Sequence, residues 1–514
     1  MSMLKDKVLQ GSEFIITCEF VPGRGSKGQA IDEALNFGQK VVSSGLPIHA
    51  VSITDNPGGN PAIGPDTLAT ELANINIESL VHFSCAGINR NSIESRASGL
   101  ARKGLQNLLV VTGDYPVGGY GGRAKPVFDL DSVQAVHYLK YMNTGIEIPG
   151  KSKDSPARLT PTEFFIACGV SPFGKNEAEL IPQLIKLEKK IQAGADFIIP
   201  QLGYDVRKFG EILKYLKYRG LNVPVFGNCY VLSRAVAKVM NRGDVPGAVV
   251  TEELVKVLET EAGGPDKGKG ARLERAAQLT AVFKGMGMRG VHIGGFNLKF
   301  EDFEYVIKRS QELTANWHDF VSRLSFGSKN DFYLFPEDPD LTFAEDKLDP
   351  VRIPTQKCRS LHCFISRCTH RLVFTPATKG FVLGKYLCSL IKKNQVLLKT
   401  TYGFEHLIKN VLYNCKECGD CALFNIAYLC PMDRCAKFQR NGPCGGSRNG
   451  MCEANPNKEC IWAMAYKRLS SSGSFDSLRE YVPPVNYSLA GTSSWTNYFD
   501  GTDHTSAGNK ILTG

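Results

Sequence analysis

The chain has 514 residues, 43% hydrophobic and 22% charged, with a formal charge of +10, a composition that fits a globular protein of two or three domains with a sizeable core. No Arg/Lys block interleaved with aromatics occurs, so a nucleic-acid partner is not expected; a modest positive surface suits anionic small molecules or an acidic electron carrier. No apolar run reaches about 18 residues and the N-terminus shows no secretory pattern, so no membrane insertion is expected and the cytoplasm is the expected compartment.

The first 300 residues alternate short Val/Ile/Phe-rich runs with longer stretches of helical period. The runs predict eight strands: Phe14–Phe20, Ile48–Thr54, Leu80–Ser84, Leu108–Gly113, Phe164–Gly169, Phe197–Leu202, Val223–Asn228 and Gly290–Gly294. Helices are predicted between them, including Gln29–Ser44, Ser92–Lys103, Glu177–Ala193, Arg207–Tyr218 and Ala271–Met286. Eight such units predict an α/β fold, a (β/α)8 TIM barrel over 1–310, with an open doubly wound sheet as the alternative. Residues 311–355, rich in acids and prolines, read as a connector. Residues 356–412 read as a helical segment in which Cys358, Cys363, Cys368 and Cys388 pack as apolar side chains. Residues 413–470 form an irregular cysteine-rich domain, and the polar tail 471–514 is expected to clamp onto the body through Trp495, Tyr498 and Phe499.

Catalytic groups of such barrels gather at the C-terminal ends of the strands. Those ends carry Glu19, Thr54, His82, Thr112, Gly113, Asp114, Gln201 and Asn228. Glu19, between Cys18 and Phe20, is expected to have a raised pKa from lost solvation and to act as a general acid; a strand-capping or Lys-paired Glu is the bland alternative. Asp114 opens a glycine-rich loop whose backbone could approach a ligand, although no Walker or G-x-G-x-x-G arrangement is present. His82 on its own is more often a structural histidine.

Eight of the sixteen cysteines follow the spacing C-x2-C-x2-C-x8-C-x4-C-x8-C-x7-C-x7-C: Cys415, Cys418, Cys421, Cys430, Cys435, Cys444, Cys452 and Cys460. The compact opening triplet favours two 4Fe–4S clusters over zinc, whose sites more often show paired C-x2-C hooks. Structural zinc, or one cluster with one zinc, stays open, and a disulfide scaffold is the weakest reading. Spacing does not tell which cysteines share a centre.

The segments CEFVP around Glu19, AVSIT ending at Thr54, VHFSC around His82, TGD at 112–114 and AGADFIIPQ ending at Gln201 together resemble the methylenetetrahydrofolate reductase family. The cysteine-rich run, with its NGPCGG piece, resembles the domain or subunit accompanying some bacterial members. The resemblance implies a flavin-bearing barrel that reduces 5,10-methylenetetrahydrofolate to 5-methyltetrahydrofolate. It implies Glu19 as the acid that opens the methylene bridge and Asp114 as a stabiliser of the cationic intermediate. Thr54, His82, Thr112, Gly113, Asp114 and Lys190 would line the flavin; Gln201 would bind the folate and Lys299 its glutamate tail. Two departures stand out. Thr112 replaces the family's Arg, and Val170–Lys175 lacks its Tyr-Pro-Glu-x-His segment, which leaves both FAD and FMN open.

The donor is expected to be NADH or NADPH directly, with a structural metal domain, or reduced ferredoxin or another electron-donor protein or subunit feeding relay clusters. A homo-oligomer is the expected assembly. The competing non-enzymatic reading is a folate-binding scaffold component of a one-carbon complex with a zinc domain.

Overall fold

The computed structural model describes residues 3–152, 155–328, 330–351, 361–470 and 475–505. Its centre is an eight-stranded parallel sheet: β1 (Ile15–Phe20), β2 (Ala50–Ile53), β3 (Ser79–Ser84), β4 (Asn107–Val111), β5 (Phe165–Val170), β6 (Phe197–Pro200), β7 (Phe226–Val231) and β8 (Gly290–Gly295). Neighbours pair in chain order, β1 pairs β8, and a parallel bridge between Ile198 and Val225 joins the β6 and β7 regions, closing a (β/α)8 barrel. All eight predicted strands are present. The seventh lies three residues later than expected, since aromatic and branched residues continue through Tyr230 and Val231 after Pro224. Asn228 is therefore inside its strand rather than at its end.

Strand side chains alternate between two environments. One set (Cys18, Val51, Val81, Leu108, Ile166, Ile198, Cys229, Val291) packs against the surrounding helices. The other points into the barrel, where Ile15, Leu80, Leu109, Phe165, Phe197 and Phe226 fill the lower half. An N-terminal helix, Met3–Gln10, closes that end by burying Leu4 and Val8 on the plug. Apolar filling of the lower half leaves the polar inward residues for the opposite, C-terminal mouth. An antiparallel hairpin, Glu147–Ser152 with Ser155–Arg158, is inserted before β5.

After the barrel, the described residues form helices Leu361–Thr369, Lys379–Ile391 and Gln395–Tyr413, then a loop-rich cysteine region, helix Ile461–Ser470 and a tail helix, Ser494–Asp500. Tail residue Phe499 stacks on Phe374 and lies near Phe381. Cys363 and Cys388 are buried in their helices, Cys368 is partly exposed, and Cys358 lies outside the described residues. Helix Ile461–Ser470 packs Trp462 and Ala465 against Ile185 of the barrel helix Glu177–Gln192. The cysteine region is thereby fixed to the barrel by an apolar seam. Among the described residues no helix is long and apolar enough to cross a membrane.

Candidate functional site

At the barrel mouth, three inward residues from three strands converge. His292 of β8 places Nε2 3.2 Å from Glu19 Oε2, and His82 of β3 places its Nε2 4.0 Å from the same oxygen. The His292 ring is held from behind, Thr17 Oγ1 lying 2.9 Å from its Nδ1, whereas Ser52 Oγ lies 2.9 Å from His82 Nε2, the nitrogen that also faces Glu19. Space beside the carboxylate comes from Gly294, where a Cβ would stand 3.0 Å from Glu19 Oε1.

The electrostatics differ from the sequence expectation. Burial does push the Glu19 carboxyl up, but the hydrogen bond and electrostatic attraction of His292, with a smaller contribution from His82, outweigh it, so the net shift is downward. The expected raised pKa is thus corrected: a local apolar flank in sequence says nothing of imidazoles arriving from β3 and β8. Burial also lowers His82 to about 4, against the pull of Glu19. His292 was not anticipated from sequence. Its signal was the alternation in GVHIGG, which places it on the same inward face as Gly290 and Gly294.

Asp114 follows β4. Its carboxylate accepts the Gly58 N–H at 2.8 Å, and burial raises its pKa against the opposing charge of Lys437. Thr54 is buried at the end of β2, its hydroxyl near the Phe20 carbonyl. Gly113 takes φ +84°, and a Cβ there would meet Ser84 Oγ at 2.0 Å, so glycine is required.

The remaining expected residues are placed differently. Thr112 is buried, donating to Ser132 Oγ at 3.2 Å and reaching Gln439 of the cysteine region at 3.4 Å. Lys190 is buried and donates to the Gly169 carbonyl at 2.6 Å. The Gln201 side chain accepts from the Leu202 N–H. Lys299 is exposed, ahead of helix Phe300–Leu313. Glu19, Thr54, His82, Gly113 and Asp114 thus share the strand-end face, while Thr112 meets Gln439 of the cysteine region and Lys190 is tied to the β5 residue Gly169.

For a flavin, this mouth offers hydroxyl, imidazole, carboxylate and backbone N–H groups around a glycine-opened space, which fits a polar heterocycle. Beside it, Tyr204, Tyr230, Arg272, Arg275 and Phe326 line a second recess, whose tyrosines and arginines suit an aromatic, anionic ligand arm.

The eight clustered cysteines divide into two groups. Cys415, Cys418, Cys421 and Cys430 line one recess together with Tyr402, Lys409 and Tyr413. Cys435, Cys444, Cys452 and Cys460 form a second group, in which Cys435 interacts electrostatically with Cys452, Cys444 with Cys435 and Cys460, and Cys460 with Cys435 and Cys452; Cys444 lies 3.6 Å from Glu453 Oε1. Thiolates on one tetrahedral zinc at 2.3 Å would sit about 3.8 Å apart. Among the described residues no three of these sulfurs come within 4.8 Å of one another. Buried lysines face each group: Lys409 beside Cys415 and Cys421, Lys437 and Lys186 beside Cys444. Lys409 and Lys437 are each also ion-paired with a buried carboxylate, Glu405 and Glu453.

Comparison with known proteins gives two family matches. The model described as methylenetetrahydrofolate reductase matches residues 4–309, and the model described as methylene-tetrahydrofolate reductase C terminal matches residues 395–488. Methylenetetrahydrofolate reductase 1 of Schizosaccharomyces pombe is 23% identical over 304 residues, 58% of this chain and 46% of that protein. A probable methylenetetrahydrofolate reductase (NADH) of Oryza sativa subsp. japonica is 26% identical over 218 residues, 41% of this chain and 34% of that protein. The chain thus spans about half the length, or less, of the curated relatives it matches. A solved structure of an uncharacterized Clostridium thermocellum protein, described as binding two copies of 5-methyl-5,6,7,8-tetrahydrofolic acid, aligns with a TM-score of 0.43 at 15% identity, covering 61% of this chain and 100% of that one.

Proposed function

Because this chain belongs to the methylenetetrahydrofolate reductase family, we propose that its barrel reduces 5,10-methylenetetrahydrofolate to 5-methyltetrahydrofolate, with a flavin at the mouth and two 4Fe–4S clusters in the cysteine region. The observation that carries this reading is the Glu19 carboxylate held between His292 and His82 at the barrel mouth, above the apolar filling of its lower half. When bound, the flavin supplies the hydride that a protein side chain cannot. Thr54, His82, Gly113 and Asp114 would hold it, with Thr112 and Lys190 fixing the strand ends beneath; Gln201 and Lys299 would contact the folate.

The chain's own residues supply the proton. His292 Nε2, oriented by Thr17, faces Glu19 Oε2, so the pair can share one proton and Glu19 can pass it to the substrate ring nitrogen. Substrate covering the mouth removes solvent from Glu19, whose side chain is 20% exposed, and moves its pKa upward toward the value an acid needs. His82, kept neutral by burial, adds no fixed positive charge against the cationic intermediate. Asp114 places a negative charge at the same mouth, where developing positive charge is stabilised.

The cysteine region is proposed as a relay as well as a brace. The first group lies under the outer helices, and the second lies toward the barrel. Lys437, beside the second group, donates to the Gly113 carbonyl at 2.7 Å, so the groups line up between the outer helices and the barrel mouth.

The test is anaerobic turnover: purified protein, chemically reduced, is mixed with 5,10-methylenetetrahydrofolate, and the product is identified by mass. Formation of 5-methyltetrahydrofolate with stoichiometric flavin reoxidation is the expected result. A flavin-free protein that binds folate without reducing it would overturn the proposal in favour of a binding component.

A further inference from the structure

The three helices between barrel and cysteine region carry an unusual surface. Among the described residues, fifteen of the twenty-eight exposed large hydrophobic side chains fall between Leu361 and Leu412, one-tenth of the chain. Phe364 is 65% exposed, Leu383 57%, Leu407 62% and Val411 77%. So many exposed large apolar side chains in so short a stretch are uncommon on a protein surface that meets no partner. The charges are one-sided. Residues 361–413 contain eight Lys or Arg and a single carboxylate, Glu405, which is buried against Lys409. Lys385, Lys393 and Lys399 stand in solvent among the apolar side chains.

Position gives this face its meaning. Helix Gln395–Tyr413 turns Tyr402, His406, Lys409 and Tyr413 inward, where they line the recess of Cys415, Cys418, Cys421 and Cys430. Phe404, Leu407 and Val411 fall on its outward side. A helix with its side chains is about 10–12 Å across, so a protein seated on the outer side comes within one helix diameter of the first cysteine group.

We propose that this basic, apolar face docks an acidic electron-carrier protein bearing an iron–sulfur centre. The proposal rests on the reading of the cysteine groups as redox clusters. Reduction of one 5,10-methylenetetrahydrofolate takes two electrons and two protons, so two carrier molecules, each oxidised by one electron, dock in turn per turnover. A negatively charged rim on the carrier meets the lysines and sets a salt-dependent association rate, while the apolar side chains form the contact core. An anionic bilayer would also accept a basic apolar face, but it gives no reason for that face to back onto a cysteine group.

The probe is a small acidic bacterial-type two-cluster ferredoxin, titrated against the as-isolated protein at increasing salt. Binding that weakens steeply with salt is expected, and the triple variant Lys385→Glu, Lys393→Glu, Lys399→Glu should weaken it at least tenfold. Leu383→Asp with Leu407→Asp should do the same, and both variants should keep wild-type folate reduction driven by reduced methyl viologen. Unchanged ferredoxin affinity in both variants overturns the proposal. So does co-sedimentation with phosphatidylglycerol vesicles that the triple variant abolishes, which would assign the face to a bilayer. A doubled mass in sedimentation that Leu383→Asp removes would assign it to self-association. If methyl viologen drives no folate reduction in the wild type, the proposed function fails, whatever the ferredoxin titration shows.

Discussion

Lys437 and Gly113 join the two halves of the molecule: the Lys437 ammonium, from the cysteine region, donates to the Gly113 carbonyl at the end of β4 at 2.7 Å. The same ammonium is ion-paired with Glu453, and both side chains are almost fully buried. One buried cation thus ties the residue before Asp114 to a carboxylate that touches Cys444. Replacing Lys437 by Met leaves Glu453 buried and unpaired, at a cost of about 3–5 kcal/mol. Thermal unfolding should show a large drop in melting temperature for Lys437→Met and partial recovery when Glu453→Gln is added.

Iron content should report the grouping of the cysteines. Wild-type protein purified without oxygen should carry about eight iron and eight acid-labile sulfide per chain. Cys418→Ser and Cys452→Ser should each lose about half the iron, and the double variant nearly all of it. Loss of all iron in either single variant would mean that the two groups do not form separate centres.

Gly294→Ala should act directly on the Glu19 carboxylate. A methyl group 3.0 Å from Oε1 forces the carboxylate to turn, which moves its other oxygen, Oε2, away from His292. Turnover should fall by roughly tenfold or more, the cost of misplacing a proton donor, while bound flavin stays at wild-type stoichiometry. Undiminished turnover would show that the carboxylate needs no fixed position.

His82 gives a pH signature. Its folded pKa, about 4, lies below the ordinary 6.5 of an unfolded histidine. The unfolded chain therefore binds more protons between these values. The stabilising contribution is present above about pH 6.5 and is lost as pH falls toward 4, at up to about 1.4 kcal/mol per pH unit. Denaturant titrations of wild type and His82→Gln across that window should converge at the acid end. Parallel curves would show that His82 is not held neutral.

Much of this was legible in the sequence, for definite reasons. Strands of a closed parallel barrel are short apolar runs, so a polar residue where a run ends, such as Thr54 or Asp114, stands out. Glu19 stood out for the same reason, but its ionisation depends on His292, which is 273 residues away in sequence. The β7 register was misjudged because Pro224 looked like part of a strand that begins only at Phe226. The pairing of Cys430 with the opening triplet was not legible either, since the short helix Pro431–Arg434 separates it from Cys435 and sends the two into different groups. Nothing local in Thr112 or Lys190 reveals that Gln439 and Gly169 would engage them.

The most direct measurement is single-turnover reoxidation of the reduced protein by 5,10-methylenetetrahydrofolate, comparing wild type with Glu19→Gln. The amide keeps the shape of the carboxyl but cannot pass a proton, so flavin content and folate affinity should hold while reoxidation slows by about 100-fold or more. Reoxidation of Glu19→Gln at the wild-type rate would contradict the assignment of Glu19 as the residue that delivers the proton.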